Sequence, residues 1–221
     1  MSNQAASRPP TLYILSAPSG GGKSSLAQAL ADRSENIVTS VSHTTRPQRP
    51  GETDGVNYFF VDPAQFEQIV KDDGFLEHAQ VFGHCYGTSR HAVEKAIKSS
   101  QSVLLDIDWQ GAQQVRATFK EAVSVYILPP SVEVLAQRLA DRGRETPEQI
   151  SARLDEAASE MSHYGEYDHI LVNSEFDQAL GELEALIHRG EPPESGRGFD
   201  VAALVDCAKS VRLKTSETAN L

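Results

Sequence analysis

The chain has 221 residues, enough for one substantial hydrophobic core, and its 39% hydrophobic and 23% charged content is that of an ordinary globular protein. A formal charge of −11 argues against broad nucleic-acid binding through a basic surface, so arginines that handle phosphate must be concentrated locally. No long apolar stretch occurs, the start MSNQAASRPP lacks an apolar signal core, and Cys85 and Cys207 stand far apart. These features predict a cytoplasmic chain with no membrane span, disulfide framework or metal held by protein side chains alone.

In chain order, Thr11 to Ser16 is an apolar run that predicts a buried strand, followed by a Gly-rich turn and a helix over Lys23 to Asp32. Residues 42–89 are rich in Gly, Pro, Tyr and Thr, and predict an inserted lobe with a small mixed sheet and one helix built on Phe66, Ile69 and Val70. Gln101 to Asp108 is a second strand and runs into a helix from Trp109. Ala122 to Leu128 is a third strand, stopped by Pro129 and Pro130, and a helix over Val132 to Ala140 follows. A polar turn at residues 141–147 precedes a long helix striped by Ile150, Leu154, Ala157 and Met161. His169 to Asn173 is a further strand and Asp177 to His188 a closing helix. After Gly190, EPPESGRG reads as an exposed linker and FDVAALVDCAKS as a possible short helix, so removal of this tail is expected to leave activity largely intact. The alternation of strands and helices points to βαβ units and a parallel sheet.

The segment Ala17, Pro18, Ser19, Gly20, Gly21, Gly22, Lys23, Ser24 fits the P-loop pattern between a strand and a helix. Small residues let backbone N–H groups converge on phosphates, the lysine reaches the β/γ-phosphates, and the Ser24 hydroxyl is placed for Mg²⁺. Ala17 replaces the pattern's first glycine. The blander alternative is a plain Gly-rich turn, but both flanking elements and the GKS triplet favour the cradle. Asp106 and Asp108 lie two apart at a strand end and so face one side of the sheet. Asp108 reads either as a cap for the following helix or as a second-shell partner of Mg²⁺, and Asp106 as the better candidate near phosphate or base.

A second, ordered set of residues is more specific. Ser42-His-Thr-Thr-Arg46-Pro-Gln-Arg49-Pro-Gly-Glu52 is followed by Tyr58, Phe-Leu-Glu77, Tyr86-Gly-Thr88 and Asp106-Ile-Asp-Trp-Gln-Gly111. Over about Thr11 to His188 this order and spacing resemble the guanylate kinase family, most closely its bacterial members. The resemblance implies a P-loop NTPase-type α/β fold, with a parallel sheet covered on both faces by helices, a core of 11–41 and 90–188, an inserted GMP-binding lobe over about 42–89, and a lid over about 138–153. Residues 1–10 are then expected to be a disordered start, and 189–221 a tail of unassigned role.

It also implies transfer of the γ-phosphate of MgATP to GMP, and to dGMP. Arg46, Arg49, Tyr58 and Tyr86 match the positions that hold the acceptor phosphate, where guanidinium forks and phenols suit a dianion. Ser42, Glu77, Thr88 and Asp106 match those that read guanine: Glu77 can accept from N1–H and the exocyclic amine together, and Thr88 can donate to O6. The ATP side comprises residues 17–24, Ser25 and Asn173. Arg138, Arg142 and Arg153 match lid arginines, the first two one helical turn apart, while Arg144 is extra and has no assigned role. Mg²⁺ would enter with ATP. Competing readings are a scaffold module with the same fold, which would tolerate a damaged P-loop or lid, a sugar-phosphate kinase, and a regulatory GTPase, for which no N-K-x-D motif occurs.

Overall fold

The computed structural model describes residues 9–81, 83–141 and 147–218. Two compact units emerge, one formed by the chain up to Ile14 with Ala31–Val123, the other by Leu15–Leu30 with the chain from Ser124 onward.

In the first unit, strand β1 (Leu12–Ser16) contributes its N-terminal half, and β2 (Ile37–Thr39), β7 (Ser102–Asp106) and β1 lie in that order, with β2 and β7 parallel. All five β1 side chains and the centre of β7 are buried, which is why both read as continuous apolar runs rather than alternating ones. Residues between β2 and β7 build a second sheet in the order β4-β3-β6-β5, from β3 (His43–Thr44), β4 (Phe59–Phe60), β5 (Phe75–Val81) and β6 (His84–Ser89). Helix α2 (Pro63–Lys71) starts at a capping box in which Asp62 accepts from the Gln65 N–H and Gln65 answers back, with Pro63 at the first helical position. Phe66 from this helix stacks on Phe75 with centroids 4.6 Å apart, which gives the small sheet its own core. Helices α3 (Arg90–Lys98) and α4 (Trp109–Thr118) follow β6 and β7.

In the second unit, the C-terminal half of β1, then β8 (Val123–Leu128) and β9 (His169–Val172) lie in that order, with β8 and β9 parallel. Helix α1 (Lys23–Asp32) leaves the glycine turn directly and buries Leu26, Ala27 and Leu30. Helix α5 (Val132–Ala140) is capped by Ser131 and buries Val132, Leu135 and Leu139. Helices α6 (Pro147–Met161) and α7 (Phe176–Arg189) complete the family-like part, α7 ending on Gly190 at φ +74°.

The segment expected from its composition to be an exposed linker is exposed at Glu191, Pro192, Glu194, Arg197 and Gly198, but it is also anchored. Pro193 is buried, the Ser195 hydroxyl donates to Glu182 (2.6 Å) and accepts from the N–H of Val172 (3.0 Å), and Gly196 lies against the Ile170 carbonyl. Edge strand β9 and the Glu182 carboxylate thus supply partners that a polar segment would otherwise find in water. Helix α8 (Val201–Thr218) then packs on α6 and α5, burying Val201, Leu204, Val205 and Ala208.

Candidate active site

The second unit holds a phosphate cradle. Gly21 N–H closes a turn onto the Pro18 carbonyl (2.8 Å), and Gly22, at φ +94°, sends its carbonyl to the Leu26 N–H (3.1 Å) to begin α1. That left-handed backbone suits glycine, and a Cβ there would also lie 2.5 Å from Asn173 Nδ2. Lys23 is the first residue of α1, and Ser24 and Ser25 are exposed in its first turn, where unpaired backbone N–H groups and the helix dipole favour an anion.

Two residues behind the loop hold its shape. Asn173, 4% exposed at the end of β9, donates from Nδ2 to the Gly21 carbonyl (3.0 Å), and its own carbonyl accepts from Arg138 Nη2 (2.8 Å). Glu160 of α6 accepts from the Ser19 N–H (3.0 Å). Arg138 is half-buried; burial pulls its pKa below the ordinary value, Glu175 opposing, yet a guanidinium remains charged at neutral pH. Its Nη1 is buried with no partner among the described residues, a charged donor in want of an acceptor. Arg153 is half-buried on α6 beside Glu156, whose carboxyl burial pushes up and Arg153 pulls down. Arg142 and Arg144 lie outside the described residues.

The acceptor candidates Ser42, Arg46, Arg49, Tyr58, Glu77, Tyr86, Thr88 and Asp106 all fall in the first unit. Arg46, 8% exposed, forks onto Glu52 with Nη2 to Oε1 at 2.6 Å and Nη1 to Oε2 at 3.1 Å. Its guanidinium also lies 5.4 Å from the Tyr58 ring centroid and 5.7 Å from that of Phe60, and Tyr58 meets Tyr86 edge-on at 6.0 Å. Burial works against the Arg46 charge, but Glu52 and then Tyr86 outweigh it and raise its pKa; the same Arg46 hydrogen bond holds the Glu52 carboxyl below its ordinary value. Glu52 also accepts from the Arg49 N–H (2.7 Å), so one carboxylate fixes a side chain and a main chain of the R-x-x-R-x-G-E loop, while Arg49 is exposed.

Glu77 and Thr88 are direct cross-strand partners on β5 and β6. Both are buried, at 4% and 1% exposure, and the Thr88 hydroxyl has no partner among the described residues. Ser42 precedes β3, its carbonyl taken by the Phe59 N–H (2.9 Å), and Asp106 ends β7, half-buried. Asp108 is a helix cap: its carboxylate accepts from the Gly111 N–H (2.9 Å) and from Gln110 Nε2 (3.0 Å).

Sequence reasoning overlooked Glu52 and Glu160, which hold Arg46 and the Ser19 N–H. Glu52 carried a signal, as the closing residue of the arginine motif; Glu160 is an ordinary helical surface type whose partner lies far away in sequence.

A buried strand, a glycine turn with left-handed backbone and a helix led by Lys23-Ser24 define a P-loop NTPase-type α/β protein. The family model for guanylate kinase matches residues 9–190, and the chain belongs to the guanylate kinase family. It is 55% identical over 190 residues to the guanylate kinase of Alkalilimnicola ehrlichii, covering 84% of this chain and 94% of that one. With the Escherichia coli K12 guanylate kinase it shares 53% identity over 179 residues, 80% of this chain and 86% of the relative. The crystal structure of guanylate kinase from Anaplasma phagocytophilum superposes with a TM-score of 0.70 at 35% identity, over 90% of this chain and 94% of that one. Residues beyond 190 fall outside the family match.

Proposed function

We propose that this chain is an ATP:GMP phosphotransferase whose base selectivity resides in the buried Glu77 and Thr88 pair. The observation that carries this reading is the cross-strand placement of a buried carboxylate beside a buried, unpartnered hydroxyl. Buried polar groups are costly unless paired, and guanine supplies the complement. Its N1–H and exocyclic amine both donate to Glu77, and its O6 accepts from Thr88. Adenine offers an acceptor at N1 and no amine at C2, so it brings Glu77 neither of the two donors that guanine brings.

The reaction asks little covalent chemistry of the protein. An anionic phosphate oxygen of GMP attacks the γ-phosphorus, the bond to the β–γ bridging oxygen breaks, and ADP leaves as GDP forms, so no general base is needed. What must be overcome is the mutual repulsion of two polyanions, by positioning and positive charge. In this reading Arg46, Arg49, Tyr58 and Tyr86 bind the GMP phosphate, with Glu52 holding the Arg46 fork in place. The backbone of residues 17–25 and Lys23 cradle the ATP phosphates, Arg138 turns its spare Nη1 donor to them, and Arg153 and Arg142 supply charge from the lid. Asn173 maintains the loop through Gly21.

Among the described residues no group of three or more His, Cys, Asp or Glu converges as a metal cage, whereas the Ser24 hydroxyl is exposed beside Lys23. That donor set fits Mg²⁺ held mainly by phosphate and water, with Ser24 as its protein ligand. Mg²⁺ bound there would neutralise charge on the phosphates. No helix among the described residues is long and apolar enough to cross a membrane; we place the enzyme in the cytoplasm with ATP, GMP and dGMP as its small-molecule partners.

The test is the specificity constant for GMP, IMP and AMP with MgATP, in wild type and Glu77→Gln. The expected order is GMP, IMP, AMP, with AMP disfavoured by as much as ~10⁴-fold because its N1 lone pair faces a carboxylate that guanine would supply with two donors. Glu77→Gln is expected to narrow the gaps. A different wild-type order, or unchanged ratios in the variant, removes Glu77 as base reader.

A further inference from the structure

Strand β5 is an outer strand of the four-stranded sheet, so its far edge presents backbone groups that no strand pairs. At one residue that edge is occupied. Gln114 of α4 donates from Nε2 to the His78 carbonyl (2.7 Å) and accepts on Oε1 from the His78 N–H (3.1 Å), so a single carboxamide stands in for a neighbouring strand. His78 directly follows Glu77. One turn earlier on α4, Gly111 packs against Glu77: a Cβ built there would collide with Oε2 and lie 3.0 Å from Cδ. The ladder between β5 and β6 also shifts register between Phe75 and Glu77, so regular pairing does not by itself carry the carboxylate to its position from the start of the strand.

We propose that Gln114 and Gly111 form a two-point seat on α4 that fixes where the Glu77 carboxylate meets the base, which makes both of them positioning residues for GMP selectivity. Gln114 sets how far the strand stands from the helix, and Gly111 leaves the space that the carboxylate occupies. The two side by side do what neither does alone: a clamp without clearance would expel Glu77, and clearance without a clamp would let it wander. The Asp108 cap adds to this, because it fixes the N–H of Gly111 (2.9 Å) and so the start of the helix that carries the seat. The inference rests on Glu77 as the reader of guanine.

Gln114→Met keeps length and volume but removes both hydrogen bonds. His78 is exposed, so water can take over its backbone groups and the strand can persist. Gly111→Ala acts on the second point and, by replacing a helical glycine, favours formation of α4. We expect each variant to lower kcat/KM for GMP by about tenfold, the scale of one weakened hydrogen bond to a charged group. Each should also narrow the GMP-over-IMP ratio while KM for ATP stays within about twofold, since only acceptor binding is disturbed. In a Glu77→Gln background Gln114→Met should change that ratio no further, because it acts through the group already altered.

A fold staple would instead lower thermal stability and all kinetic constants together. It would not produce a Gly111→Ala protein of undiminished melting temperature that has lost base discrimination. Unchanged GMP-over-IMP ratios in both variants, or additive effects in the double variant, overturn the seat, provided that Glu77→Gln itself moves the ratio. A ratio that Glu77→Gln leaves unmoved overturns the underlying reading of Glu77 instead.

Discussion

Replacing Glu52 with Ala isolates the support of Arg46, the arginine proposed to hold the acceptor phosphate, from the arginine itself. The structure sets the magnitude. Two charge-assisted hydrogen bonds join Glu52 to Arg46, at 2.6 and 3.1 Å, with side-chain exposures of 19% and 8%. A hydrogen bond to a charged group contributes roughly 1.5–3 kcal/mol, and loss of one partner of a well-buried pair costs roughly 3–5 kcal/mol. Partial exposure of Glu52 and the remaining contact of Arg46 with the Tyr58 ring both reduce the cost, to about 2 kcal/mol. For a chain of this size that lowers Tm by about 4–8 °C. A guanidinium released from its fork also has to be re-ordered by the acceptor phosphate, so KM for GMP should rise about tenfold while KM for ATP changes by less than about twofold.

The assay is a coupled ATP/GMP measurement with each substrate varied, beside a thermal melt. A fall in Tm with KM for GMP untouched would refute the reasoning, because Glu52 would then stabilise the loop without orienting Arg46 for substrate. The pH dependence offers a second check. Because Arg46 holds the Glu52 carboxyl below its ordinary value near 4.5, the stabilisation is present above that value and is lost as pH falls through the lower folded-state one. Wild type should therefore lose stability in acid more steeply than Glu52→Gln.

Other expectations follow from the cradle and the tail. Lys23→Met keeps the stem but removes the charge facing the β/γ-phosphates, and turnover should drop by at least about 10² with the melt unchanged; near-normal turnover would dismiss the P-loop assignment. Glu160→Ala removes the acceptor of the Ser19 N–H and should raise KM for ATP by a few-fold to about tenfold, leaving KM for GMP in place; equal shifts for both nucleotides would show a general loosening instead. Leu204→Ala empties a site of 7% exposure where α8 meets its neighbours and should cost about 2–4 kcal/mol, read by denaturant unfolding. Deletion after Gly190 should likewise destabilise the protein while leaving catalytic activity at low temperature largely intact; an unaltered unfolding curve would make the tail an appendage.

The local elements were legible because their signals are local. An apolar run, the GKS triplet and helical spacing place β1 and α1, and Lys23–Asp32 begins and ends where the pattern puts it. The double proline ends β8 in the same way, and the expected helix over Val132–Ala140 is α5. For Arg46, Glu77 and Thr88 the ordered motif named the residues, but chemistry read along the chain would have left them as surface charges or turn residues. Short strands were harder: β2 has only three residues and does not stand out from its surroundings.

What tertiary structure decided are the pairings between distant residues. Composition makes the region after Gly190 a linker, yet the Val172 N–H, Glu182 and the Ile170 carbonyl take it up as packed chain. Asp108 caps α4 by accepting from the Gly111 N–H, a contact that its place at a strand end does not by itself specify. Glu160 on Ser19, Gln114 on His78 and Gly111 beneath Glu77 leave no periodic trace in sequence, because a hydrogen bond across 36 or 141 residues, or a clearance between two separate elements, depends on where two backbones arrive. Patterning dictates which face of each element is buried; the packing of those faces then chooses which polar groups meet, and it is these meetings that hold the reacting groups in place.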